Sequence, residues 1–143
     1  NISYKCLLFR RHLYCHRGRG MYMKKEMVRK YFQAWIDADI DSIKDIFSKN
    51  IFYSECYGPE YHGIDQLLQW FKDWNRNGKV LEWSIKRMIE QDNTLVIEWY
   101  FECEYNSEIS GFDGVTIAEF NEEIKICKLQ EFQSKHEHYQ PYK

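Results

Sequence analysis

Residues 94–105 alternate with a period of two over a full strand length. Leu95, Ile97, Trp99, Phe101, Cys103 and Tyr105 fall on one face, while Val96, Glu98, Tyr100, Glu102 and Glu104 take the other. Successive side chains point to opposite sides only in a strand, so this segment demands a sheet with one apolar face. Residues 80–90, 114–121 and 124–134 read as three further strands. Turns are expected at Gln91-Asp92-Asn93, around Gly111 and at Asn121-Glu122-Glu123.

Ahead of these strands the period is that of a helix. From Lys24 to about Asp37, Met27, Tyr31, Ala34 and Trp35 make one apolar stripe. Asp39 or Asp41 can cap a second short helix carrying Ile43, Ile46 and Phe47. Ile51-Phe52-Tyr53 opens a strand running into Glu55 and Tyr57, which Gly58-Pro59 breaks. Gly63-Ile64-Asp65 starts a third helix with Leu67, Leu68, Trp70, Phe71 and Trp74 on its apolar side. Asn77-Gly78 ends it with residues that tolerate left-handed backbone. Three helices followed by antiparallel strands predict an α+β fold.

The length of 143 residues suits one domain. A hydrophobic fraction of 44% with only 2 Pro and 7 Gly excludes disordered and collagen-like classes. No apolar run reaches the span of a membrane helix, and the net charge of -2 argues against a dedicated nucleic-acid binder. That small charge hides a division. Residues 1–20 carry five Lys and Arg and no acid, leaving a net -7 on residues 21–143. Residues 1–22 are therefore expected to be a basic leader outside the fold, of the kind translated upstream of a start at Met21 or Met23. The domain proper is expected over residues 23–143. Five cysteines without a CxxC spacing point to free thiols in a reducing compartment, hence a cytoplasmic, bacterial protein. His136, Glu137 and His138 have the look of a terminal strand, and His62 adds no useful spacing, so no metal and no cofactor are expected.

The run Val28-Arg29-Lys30-Tyr31-Phe32-Gln33-Ala34-Trp35, followed by Asp39-Ile40-Asp41-Ser42-Ile43-Lys44-Asp45-Ile46-Phe47, resembles the first two helices of SnoaL-like proteins. These belong to the nuclear transport factor 2-like superfamily, which includes ketosteroid isomerase. The resemblance covers roughly residues 24–135. It implies a cone-shaped curved antiparallel sheet, an α+β barrel closed in part by helices, with a pocket inside. It also implies homodimerisation through the outer sheet face, where Val96, Tyr100, Val115 and Ile117 mix with Glu98, Glu102, Glu104 and Glu119. The oxyanion-hole tyrosine of ketosteroid isomerase falls on Tyr31 and its carboxylate base on Glu55. Its second, acidic donor falls on Ala118, so that part is missing.

Glu55 is the candidate base, because a carboxylate facing aromatic walls is desolvated and its pKa rises. Tyr31 is the candidate donor to a developing oxyanion. Glu131, which alternates with Cys127, Leu129 and Gln133, is the second carboxyl; two in one apolar pocket separate into an acid and a base. The plainer alternatives are a Glu55 that turns outward or bonds a buried hydroxyl or indole, and an Arg87–Glu131 or Lys–Glu ion pair. Trp35, Tyr57, Trp99, Phe101 and Phe112 are the candidate ligand wall, for a small apolar or aromatic molecule. Gly111-Phe112-Asp113-Gly114 is expected to be a rim loop. The sequence thus predicts a small-molecule-binding domain, catalysing proton transfer of isomerase, cyclase or lyase type if it is an enzyme. A non-catalytic ligand binder and a protein-interaction module are the other readings, with neither nucleic acid nor membrane as partner.

Overall fold

The computed structural model describes the backbone of residues 3–142 and the side chains of residues 18–142. Helix α1 spans Ser3–Ile36. The side chains of most of the basic leader lie outside the described residues. Met21, Tyr22 and Met23 are exposed, and packing begins at Lys24. Lys24 Nζ donates to Glu90 Oε1 at 2.9 Å and to the Asp92 carbonyl at 2.7 Å, which ties the helix to a sheet corner. Val28, Tyr31, Phe32 and Trp35 then bury the i, i+3, i+4, i+7 stripe.

Helix α2 spans Ile40–Ile46, and its cap is Asp39, whose carboxylate accepts from the backbone N–H groups of Asp41 and Ser42. Strand β1 (Phe47–Ser54) follows, then a short strand β2 (Glu60–His62) that no periodicity announces, and helix α3 (Ile64–Asn77). Three long strands and a shorter one complete the chain: β3 (Gly78–Gln91), β4 (Thr94–Tyr105), β5 (Glu108–Phe120) and β6 (Ile126–Ser134). They form one six-stranded sheet in the order β2-β1-β6-β5-β4-β3. The sheet is curved and its edges β2 and β3 stay apart, so the expected barrel is an open cone. It is also mixed rather than antiparallel throughout, because β1 and β6 run parallel. Parallel neighbours need a long crossover, and α3 with four strands lies between these two in the chain. Register shifts between Val80 and Glu82 and between Ile85 and Arg87 bulge β3, and bulges bend a strand.

Two expectations about glycines need correction. Gly78 is extended (φ -121°, ψ 153°) and not left-handed. A Cβ there would meet the rings of Tyr105 and Trp74 at 2.8–2.9 Å, so close approach explains the glycine. The turn expected around Gly111 lies instead at Asn106-Ser107, whose φ values of 50° and 67° suit a two-residue hairpin. Gly111 to Gly114 are strand residues of β5, not a rim loop. Gly114 sits opposite Trp99, whose indole lies over it.

The concave face holds the core, with Leu95, Ile97, Trp99, Ala118, Ile126 and Leu129 each at most 1% exposed. Trp99 also satisfies its N–H there, donating to Thr116 Oγ1 at 2.8 Å. A Cβ at Gly114 would come within 2.3 Å of the Trp99 ring and 2.6 Å of the Phe132 carbonyl oxygen. Gly114→Ala is accordingly expected to destabilise the protein by about 1–3 kcal/mol, read as a lower urea midpoint at unchanged slope. Gly20→Ala, inside helix α1 with open space around it, should not lower the midpoint and should raise it slightly, because Ala is the better helix former.

Candidate functional site

Inside the cone lies a cavity of about 530 Å³, a size typical of small-molecule sites. Helix residues Trp35, Trp70 and Trp74 face sheet residues Trp83, Trp99 and Phe101 across it. Phe112 of β5 and Tyr57 complete the wall and meet edge-on, with ring centroids 6.0 Å apart. The period-two pattern turns Trp99, Phe101 and Cys103 inward, and α3 brings Trp70 and Trp74 to the cavity from adjacent turns of one face.

Two carboxyl groups stand in this aromatic surround. Glu131 projects from β6 toward β1 and α1. Its Oε1 accepts from Tyr31 at 2.8 Å and from Tyr53 at 2.6 Å, and the two phenol oxygens also touch. Its Oε2 takes no bond among the described residues, while the side chain lines the cavity. Burial pushes the Glu131 carboxyl up to about 7, against the opposing pull of the two phenols. Burial and the Glu131 charge hold both phenols well above the usual tyrosine range, so they remain protonated donors.

Glu55 is the first residue beyond β1 rather than part of the strand. It begins a turn closed by Glu55 N–H to the Pro59 carbonyl and Gly58 N–H to the Glu55 carbonyl. Partial burial raises its carboxyl, and a 3.2 Å hydrogen bond from Tyr61 opposes that rise. Cys56 beside it is pushed up to about 12 by burial and by the charges of Glu131 and Glu55. A thiol so reluctant to ionise is a poor nucleophile.

Glu55, Glu131, Trp35, Tyr57, Trp99, Phe101 and Phe112 thus all line one cavity. Tyr31 does not. It is fully buried, and its hydroxyl meets Tyr53 and Glu131. Tyr53, which does line the cavity, was not singled out, although Ile51, Tyr53 and Glu55 share an alternation. Glu108 at the start of β5 was missed because the hairpin was placed four residues too late. Ala118 is buried and offers no acid; Glu131, paired with Thr116, brings a carboxyl to Tyr31 from the next strand. Arg87 bonds Glu98 and leaves Glu131 alone. Asp113, on the sheet's outer side, takes Lys86 at 2.6 Å with His136 nearby, and both hold its carboxyl below the usual range. Among the described residues no three His, Cys, Asp or Glu converge as metal ligands, and no helix is long and apolar enough to cross a membrane.

This sequence matches the model of the SnoaL-like domain over residues 28–129. The chain therefore belongs to the SnoaL-like family, and its fold is the ketosteroid isomerase-like, nuclear transport factor 2-like one. Among solved structures it is similar to a hypothetical protein of ketosteroid isomerase-like fold from Catenulispora acidiphila, in complex with trimethylamine. That match has 17% identity and a TM-score of 0.69, covering 76% of this chain and 85% of the other. An LEH-like epoxide hydrolase of M. tuberculosis gives 12% identity and a TM-score of 0.72, covering 79% and 84%. An NTF-2 like protein of unknown function from Burkholderia xenovorans gives 19% and 0.68, covering 85% and 90%. Identities this low show the fold alone. The comparison with curated proteins returned no match.

A carboxyl raised in the folded protein favours folding while it is protonated. Its contribution is full below the unfolded value near 4.5 and is lost as pH rises through about 7. The stability difference between the native protein and Glu131→Gln should therefore shift in favour of the variant from pH 4.5 to 7, then level off. Urea unfolding of both proteins across pH 4–9 reads this; a pH-independent difference would contradict the buried, raised carboxyl.

Proposed function

We propose that this protein binds a small molecule in the cone and moves a proton within it, with Glu55 as base and Glu131 as acid. The observation that supports it is the environment of Glu131. Tyr31 and Tyr53 crowd Oε1 and each other, which leaves Oε2 without a hydrogen-bond partner among the described residues on a side chain that lines the cavity. Tyr31 and Tyr53 act as positioning residues, fixing the orientation of that carboxyl. Glu55, less buried and bonded by one phenol, is the group left to ionise first. Two carboxyls whose surroundings differ in this way divide into base and acid. A carbon acid beside a carbonyl suits the pair: Glu55 takes the α-proton while Glu131 donates to the carbonyl oxygen. The trimethylamine complex of the Catenulispora protein supports reading this cone as a chamber for small molecules.

Proton abstraction is read without knowing the natural substrate. A panel of cyclic β,γ-unsaturated ketones and 1,3-diketones in D2O, followed by proton NMR, should show enzyme-dependent loss of α-proton signal. Glu55→Gln should lower that exchange by about 10²–10⁴-fold. The pH profile should rise as Glu55 ionises and fall as Glu131 loses its proton near 7. Exchange no faster than that of Glu55→Gln across the whole panel would leave a non-catalytic binding domain.

The outer sheet face supports a second proposal, a homodimer. Cross-strand register puts Ile89, Val96 and Ile117 in one row and Val115 beside Phe132 in the next. Ile89 and Phe132 are 52% and 53% exposed, and ion pairs Arg87–Glu98 and Glu119–Lys128 flank the strip. An apolar strip of this kind is suited to burial against its own copy about a two-fold axis. Sedimentation should give a dimer that Phe132→Lys with Ile117→Lys converts to monomer; a native monomer at about 100 μM would refute it. Cys56, Cys103 and Cys127 are free thiols, which is consistent with the proposed cytoplasmic location.

A further inference from the structure

The lining of the cone has an electrostatic bias that the proton-transfer reading does not use. Seventeen residues line the cavity, of which ten are aromatic and three are Glu; none is Lys, Arg or His. Several cations of the first helix and the sheet are paired away from the cavity. Lys24 is held by Glu90, Lys86 by Asp113, Arg87 by Glu98 and Lys128 by Glu119. Three carboxyl groups thus share an aromatic chamber with no positive side chain on its wall.

We propose that the ligand of this cavity carries an alkylated ammonium group, seated among the rings of the cone and faced by Glu55, Glu108 and Glu131. This rests on the reading of the cone as the ligand site and adds the ligand's class. An anionic ligand would meet carboxyl groups and no cation on the cavity wall. An uncharged ligand can accept a hydrogen bond from Glu131 but brings no counter-charge for an ionised carboxylate that it desolvates. A cation supplies the missing counter-charge and is attracted to the negative faces of the indole, phenol and phenyl rings. A primary ammonium would also need acceptors for three N–H groups, whereas the walls offer mostly ring carbon. Alkyl groups on nitrogen remove that need and fit apolar walls, so a tertiary or quaternary ammonium is favoured over a primary one. A divalent metal is a poorer fit, since no metal-ligand cluster occurs among the described residues.

The test uses the full chain and two probes of the same shape, choline and its uncharged carbon isostere 3,3-dimethylbutan-1-ol. All five tryptophans of the sequence line the cavity, so indole fluorescence reports on it directly. Calorimetry gives the affinities. Choline should bind about tenfold or more tightly than the isostere. Glu55→Gln, at a half-buried position that tolerates the change, should weaken choline several-fold and leave the isostere unaffected. Equal binding of the two probes would overturn the ammonium assignment while leaving the cone as a site for neutral ligands. Binding of neither would overturn it too, with the cone reading then standing or falling on the ketone exchange measurement. A choline affinity indifferent to both Glu55→Gln and Glu131→Gln would likewise refute it.

Discussion

One carboxyl holds three distant parts of the chain in register. Glu131 on β6 accepts from Tyr31 on α1 and Tyr53 on β1, across sequence separations of 100 and 78 residues. Both phenols are fully buried, and a buried hydroxyl without an acceptor costs of order 1–3 kcal/mol. The carboxyl removes that cost twice at one oxygen. In doing so it fixes how the first helix lies on the sheet and which way the last strand presents its acid. The aromatic packing around it has the same centre: the Tyr31 ring meets Phe32, Phe47 and Trp83 at 5.1–5.2 Å. Phe32 in turn stacks on Trp83 at 4.1 Å.

From that centre outward, the cone is a balance between large rings and the space left for them. Glycine supplies the space. Gly114 lets the Trp99 indole lie against β5, and Gly78 lets Trp74 and Tyr105 approach β3. Trp35 gathers Trp70, Phe71 and Trp74 within 5.4 Å of its own ring, joining α1 to α3. The rings leave a cavity because the sheet bends away from the helices and the helices cover only part of its concave face. A flatter sheet would have brought the same side chains into contact and closed the space.

Charge is distributed in the opposite sense to packing. On the outer side acids find partners, as Glu98 does with Arg87, Asp113 with Lys86 and Glu119 with Lys128. Inside, the carboxyls have phenols for company and no cation. Burial, against the pull of the phenols, raises Glu131 and Glu55 above the ordinary carboxylate range, and both carboxyls line the same cavity.

The alternation over 94–105 made the strand and its apolar face legible, and the family resemblance turned that face inward, with Trp99 and Phe101 as wall residues. The family resemblance implied that Glu55 and Glu131 share one pocket, and both line the cavity. What misled was glycine, since Gly111 and Gly114 read as a turn when they are strand positions emptied for Tyr100 and Trp99. Local pattern cannot distinguish a glycine that turns the chain from one that makes room for a ring 11 or 15 residues away in β4. Tyr31 shows the same division. Its helix and its burial followed from periodicity, but its role depends on Tyr53 and Glu131, which meet it only when β1 and β6 pair in parallel. The sequence by itself determined which residues alternate, cap and bury, because those are properties of neighbours along the chain. Tertiary structure alone decided that the phenols face a carboxyl rather than a substrate, and that three acids share a chamber without a base. Hydrogen bonds and unbalanced charge are set by distance in space.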